Sequence, residues 1–128
     1  MYDGPPMADE INPTTGEIRA WAYSGAEEPV QDWDIIAFDL DDLTLLLQLV
    51  GDVDCPARHY LLGVLYCLVG HSDRDDPRVW AAVAAAEVAE NPWLSTWARR
   101  VGDVRAHPDS FTRRDWCGWD GLSTRPVD

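Results

Sequence analysis

Ten consecutive residues near the middle of the chain, Tyr60 to Val69, carry no charged side chain, and this run constrains the fold more than any other segment. A helix that is apolar on all sides has to be covered on all sides. Pro56 suits the first turn of such a helix, and Gly70 suits its end. The run falls far short of the ~20 apolar residues that span a bilayer, so we predict a central, buried helix.

Helix start and stop signals surround this run. Asp39 can cap a helix that Gly51 ends, with Asp42 at position N3. Asp75-Asp76-Pro77 precedes an alanine-rich helix that runs from Trp80 to Glu90, and Asn91-Pro92 opens another. That last helix has an apolar stripe formed by Leu94, Trp97, Val101 and Val104. A short fifth helical segment is expected over residues 110–116. We therefore predict a mainly α fold, a four-to-five-helix bundle with short links between the helices.

The N-terminal region has a different pattern. Residues 1–16 contain three prolines and few apolar residues, which predicts a flexible acidic arm. Residues 17–23 partly alternate polar and apolar side chains and residues 30–38 form a second extended stretch, so we predict a small β-hairpin over 17–38, or an extended arm. An α+β fold is the alternative class. The predicted organisation is the arm 1–16, one helical domain 17–120 including the hairpin, and a loose tail 121–128.

Negative charge is concentrated in the first part of the chain. The 128 residues carry a net charge of −13, and residues 1–54 hold thirteen acids against Arg19, a net of −12. Residues 55–128 hold nine arginines and ten acids, and the chain has no lysine. This acidity opposes phosphates and anionic lipids, so we expect neither a nucleic acid nor a membrane as partner.

The N-terminus and the cysteines bear on the compartment. The first residues are acidic and proline-rich, without the basic and apolar regions of a secretion signal, so we expect a cytoplasmic location. Cys55 and Cys67 lie about 18 Å apart along a helix, too far for a disulfide. We predict reduced, buried thiols.

The acidic stretch is the main candidate site. Its nine carboxylates have no cation between them: Glu27, Glu28, Asp32, Asp34, Asp39, Asp41, Asp42, Asp52 and Asp54. A surface of this density suits a basic macromolecule, as in an inhibitor, an antitoxin-like protein or a phosphate mimic. Two other interpretations stay open. The acids can serve solubility alone, or they can pair within the fold with an arginine cluster made of Arg99, Arg100, Arg105, Arg113 and Arg114.

Two tryptophans near the C-terminus form a second candidate. Trp116 and Trp119 follow Arg113-Arg114, and this combination of aromatic rings and arginines is typical of interface hot spots. In this interpretation the chain is a structural subunit of a larger assembly, and a homo-oligomer is one form that such an assembly can take. Alternatively, these rings fold back and seal one end of the bundle.

One segment, Ile35-Ile36-Ala37-Phe38-Asp39-Leu40-Asp41-Asp42-Leu43-Thr44-Leu45, resembles the opening signature of haloacid-dehalogenase-type phosphatases. The resemblance implies a nucleophile at Asp39 and an acid/base at Asp41 beside a divalent metal, hence a phosphate-ester hydrolase. Leu43 is inserted before Thr44, and the lysine of that family has no counterpart here. An acidic cluster that caps a helix therefore explains the segment better.

The loop before the alanine-rich helix is a possible metal site. His71, Asp73, Asp75 and Asp76 could hold a divalent cation, which provides another version of the hydrolase alternative. The loop lacks the glycine and the final glutamate of an EF-hand, and capping of the next helix explains it equally well. With no intact catalytic motif, we predict no enzyme, no cofactor and a protein partner.

Overall fold

The computed structural model describes residues 3–70, 72 and 76–106, and of residues 104 and 105 the backbone. Within these residues the chain is mainly helical and contains no β-strand, which confirms the predicted mainly α class. The helices are α1 (Thr15–Ser24), α2 (Trp33–Ile36), α3 (Leu43–Gly51), α4 (Arg58–Gly70), α5 (Pro77–Glu87) and α6 (Pro92–Ala106), with a 3₁₀ turn at Leu40–Asp42 before α3.

Helix α4 is the centre of the bundle, as its sequence predicts. Leu61, Val64 and Leu65 are completely buried, and α4 packs against α2, α3 and α6. The helix ends at Gly70. No residue of α4 is exposed, which agrees with a helix that lacks a polar face over residues 60–69.

The predicted start signals of α5 and α6 are confirmed. The Asp76 carboxylate accepts a hydrogen bond of 2.9 Å from the backbone N–H of Arg78, with Pro77 in the first turn. The Asn91 side-chain oxygen accepts one of 2.9 Å from the backbone N–H of Trp93. These caps satisfy backbone donors that the first helical turn leaves free, and α5 and α6 then pack on each other.

The tryptophan of α5 lies outside the core, unlike that of α6. Trp80 is 40 % exposed, whereas Trp97 in α6 is completely buried. The buried face of α5 consists of Val79, Ala82, Val83 and Ala86, which share one side of the helix at 3.6 residues per turn. Trp80 therefore lies beside this face. Helix α5 also ends at Glu87, before the predicted Glu90.

The predicted β-hairpin over 17–38 is wrong. Residues 15–24 form α1, because the Thr14 hydroxyl accepts from the N–H of Glu17 while the Glu17 carboxylate accepts from the N–H of Thr14. Ile18, Trp21 and Ala22 then fall on one buried helical face. Gly25, with φ +74°, ends the helix in a left-handed conformation.

Aromatic rings join the N-terminal helices to α4. The Trp33 ring lies edge-on to those of Trp21 and Phe38, with centroids 4.7 and 4.9 Å apart. The Tyr60 ring on α4 packs against Trp21 at 5.2 Å. Trp21 and Trp33 are both buried, and each lies on a helix. This cluster positions α1 and α2 on the bundle.

Hydrogen bonds attach the N-terminal arm to the helices. The Trp33 indole N–H donates to the Glu10 carbonyl at 2.6 Å, and the N–H of Ala8 donates to the Glu17 carboxylate at 2.9 Å. The flexibility of the arm stays a prediction. The expected fifth segment at 110–116 and the tail 121–128 lie outside the described residues.

Two further expectations concern the thiols and the membrane. Cys55 and Cys67 are both buried, as predicted, and their reduced state stays a prediction. In the part of the chain that the structure describes, no helix has both the length and the apolar character needed to cross a membrane.

Candidate functional site

The nine predicted carboxylates of residues 27–54, here called the acidic segment, lie on α2, on the 3₁₀ turn and in the adjoining loops. Each of these side chains is exposed or half-buried. Their surroundings differ, and the difference separates carboxylates that hold the fold together from carboxylates that face solvent.

Asp39 and Asp42 form a reciprocal cap before α3, as the sequence predicts. The Asp39 carboxylate accepts from the N–H of Asp41 at 2.8 Å, and the Asp42 carboxylate accepts from the N–H of Asp39 at 3.0 Å. Burial raises the pKa of Asp42, and the nearby charges of Asp39 and Asp41 raise it further. The cap accounts for this pair without any chemistry on a phosphate ester.

Asp41 contacts an arginine from a distant helix. Its carboxylate lies 3.1 Å from the Arg78 guanidinium, which also contacts Asp76 at 3.0 Å. Hydrogen bonds to Asp76 and then to Asp41 raise the pKa of Arg78. The contact joins the 3₁₀ turn to the start of α5, so Asp39 and Asp41 direct their carboxylates to different partners.

Asp52 links α1 to the loop after α3. The Tyr23 hydroxyl donates to the Asp52 carboxylate at 2.5 Å, and the N–H of Asp54 donates to the same carboxylate at 2.9 Å. These bonds stabilise the ionised acid and lower the pKa of Asp52, Tyr23 having the largest effect. The same contact raises the pKa of Tyr23 to about 12.

Glu28 and Asp34 lie close to one tyrosine of the central helix. The Tyr60 hydroxyl donates to the Glu28 carboxylate at 2.8 Å. Burial, and then this hydrogen bond, raises the pKa of Tyr60. Burial, and then the negative charge of Glu28, raises the pKa of Asp34. Two carboxylates therefore share one half-buried corner where α2 meets α4.

The remaining carboxylates face solvent. Within the described ranges, the side chains of Glu27, Asp32 and Asp54 are exposed and have neither an ion pair nor a hydrogen bond. Asp32 precedes α2 at φ 60°, yet its carboxylate makes no capping hydrogen bond. Glu27 and Glu28 line an open groove of about 700 Å³ together with Asp3.

The described arginines of the predicted cluster lie on α6. Arg100 donates to the Tyr66 hydroxyl at 3.0 Å, and Arg99 is exposed. Arg113, Arg114 and the side chain of Arg105 lie outside the described residues. Where the structure describes an ion pair with the acidic segment, the cation is Arg78, which is not a member of the cluster.

Several predicted site residues lie outside the described part of the chain. These are Trp116, Trp119, His71, Asp73 and Asp75. Asp76, the described member of the predicted metal loop, serves as the cap of α5. Among the residues that can be placed, no group of three or more His, Cys, Asp or Glu side chains could hold a metal ion.

Two exposed isoleucines, which the predicted strand pattern does not anticipate, lie in the middle of the acidic segment. On α2, Ile35 is 44 % exposed and Ile36 is 50 % exposed, while Trp33 points into the core. An alternating strand would have hidden one of the two isoleucines. The signal available in the sequence was two adjacent β-branched apolar residues among the aspartates Asp32, Asp34 and Asp39.

Comparison of the chain with protein families, with characterised proteins and with solved structures finds no match.

Proposed function

We propose that this protein is a non-enzymatic interaction module that binds a basic macromolecular partner through the acidic segment, in an inhibitor, antitoxin-like or phosphate-mimicking role. One observation carries the proposal. The carboxylates of Glu27, Asp32 and Asp54 face solvent without a cationic partner in the described residues, although the whole chain contains ten arginines.

Uncompensated charge of this kind has a cost that a partner can offset. Like charges on one surface repel each other and destabilise the compact state. A basic partner neutralises them, and its approach is accelerated by the field of the segment. The structural carboxylates, such as Asp39 and Asp42, add to this field while their hydrogen bonds hold the backbone in place.

The test separates the location of charge from its amount. The patch variant carries Glu27→Gln, Asp32→Asn and Asp54→Asn, which leaves the caps and the tyrosine contacts intact. The control variant carries Glu87→Gln, Glu90→Gln and Asp103→Asn, three exposed acids outside the acidic segment. Both variants have the same net charge, so a difference between them reports the position of the carboxylates.

The measurement begins with capture from cell lysate on the immobilised protein at low salt, and continues with the dissociation constant of the captured protein after purification. We expect the patch variant to bind at least about tenfold more weakly than the control variant, because three ionic contacts are lost. Binding of the original protein should weaken between ~50 and ~200 mM salt. Equal affinities of the two variants, or no captured basic protein, would refute the proposal.

A further inference from the structure

We propose that α2 receives the apolar face of a basic amphipathic helix from the partner, with Ile35 and Ile36 as the apolar contacts. This inference rests on the proposed function and specifies where and by what element the partner docks. Both isoleucines are about half exposed on a helix of four residues. Apolar side chains become a favourable contribution only when they are removed from water, which a partner at this surface would do.

The two isoleucines are held in position by Trp33, which precedes Ile35 by two positions and Ile36 by three. Trp33 is completely buried, its indole N–H donates to the Glu10 carbonyl, and its ring contacts Trp21 and Phe38. The side of α2 that carries Trp33 is therefore fixed in the core. Ile35 and Ile36 therefore lie on a helix whose position is already fixed, and binding a partner costs less backbone entropy.

Charge selects the occupant of this face. Asp32 lies within four positions of both isoleucines, and Asp39 follows three positions after Ile36. A second copy of this chain would bring the same carboxylates against them and be repelled. An amphipathic helix with arginine or lysine beside its apolar stripe satisfies both parts of the surface, because its apolar residues recur every three or four positions.

The probe is a pair of synthetic helical peptides of about 18 residues, composed of leucine and arginine. In one peptide the leucines lie on a single helical face, and in the other the same leucines are distributed round the helix. We expect the original protein to bind the amphipathic peptide about tenfold more tightly than its isomer, since only the first can bury leucines on α2. The double variant Ile35→Gln/Ile36→Gln should lose this preference and retain salt-dependent binding of both peptides.

Val88→Gln is the control for the isoleucine variant. Val88 is 78 % exposed at the end of α5, outside the acidic segment, so its replacement should leave the preference unchanged. Circular dichroism and the melting temperature verify that each variant is folded. If the double variant does not fold, the two single isoleucine variants replace it. We expect each of them to reduce the preference at least about twofold.

The outcomes distinguish this inference from the proposed function. If the patch variant binds both peptides as tightly as the original protein, the proposed function fails. If the patch variant loses binding but Ile35→Gln/Ile36→Gln keeps the preference for the amphipathic peptide, the docking on α2 is refuted and the proposed function stands. The inference would also be overturned if the original protein sedimented as a dimer and the isoleucine variant as a monomer. The occupant of α2 would then be a second copy of the chain.

Discussion

The Tyr60 hydroxyl donates a hydrogen bond of 2.8 Å to the Glu28 carboxylate, and this contact joins the central helix to the loop that carries the acidic segment. The two residues lie 32 positions apart in the chain. Trp21 packs on the same tyrosine ring and donates its indole N–H to the carbonyl of Glu27 at 2.9 Å. The loop is therefore tied to the core through the backbone of Glu27 and the side chain of Glu28.

Tyr60→Phe should destabilise the protein by about 1 kcal/mol, because it removes a hydrogen bond to a half-buried carboxylate and keeps the ring. Urea unfolding followed by tryptophan fluorescence measures the change. Tyr23→Phe is the matched control, since its hydroxyl also donates to an acid, Asp52, but in an exposed place. We expect the smaller loss for Tyr23→Phe. The opposite order would show that the Tyr60 hydroxyl does not hold the loop.

Asp34 should make the protein less stable as the pH rises. Burial and the charge of Glu28 raise its folded-state pKa above the ordinary value of 3.8, so the folded protein keeps this proton to higher pH than the unfolded chain. The free energy of unfolding then falls with pH from that ordinary value up to the folded-state pKa. Asp42, whose pKa burial also raises, contributes with the same sign.

Asp34→Asn removes this contribution from Asp34 and leaves that of Asp42. The variant should gain stability relative to the original protein across the same pH interval and keep a constant advantage above it. Urea unfolding from pH 3 to pH 7 measures the difference, with about pH 4 as the start of divergence. Asp54→Asn removes an equal charge from an exposed side chain and serves as the control. Parallel curves for Asp34→Asn and the original protein would show that Asp34 does not titrate as described.

The sequence predicts those parts of the fold that depend on neighbouring residues. The apolar character of α4 and the caps at Asp39, Asp76 and Asn91 act over a few positions, and the structure confirms them. Two local signals compete at α1, because the short alternation over 17–23 favours a strand whereas the capping box of Thr14 and Glu17 favours a helix, and the structure follows the capping box.

The candidate site can be predicted only in part from neighbouring residues. Composition locates the acidic segment, but it does not say which acids have partners. Those partners are distant in the chain, since Tyr23 reaches Asp52 across 29 positions and Arg78 reaches Asp41 across 37. Exposure of Ile35 and Ile36 likewise depends on Trp33, whose burial among other aromatic rings fixes the orientation of α2.

Thr14→Ala should weaken α1 by about 1 kcal/mol, because the N–H of Glu17 loses its hydroxyl acceptor. Denaturant unfolding measures the total change, and hydrogen exchange of residues 15–24 locates it. Thr15→Ala, one position later and also exposed, removes a similar hydroxyl without touching the cap and should have little effect. Equal losses in the two variants would indicate that the Thr14 cap does not stabilise the helix.

Two glycine substitutions should change stability in opposite directions. Gly51 is the last residue of α3, without a positive φ, and a Cβ there would meet the Leu94 side chain at 3.5 Å, an ordinary contact. Gly51→Ala should therefore stabilise the protein by about 0.5 kcal/mol, since alanine loses less backbone entropy on folding. Gly25 has φ +74°, and Gly25→Ala should cost about 1 kcal/mol although the space around it is open. Thermal unfolding of both variants beside the original protein measures the two signs, and stabilisation by Gly25→Ala would contradict the left-handed end of α1.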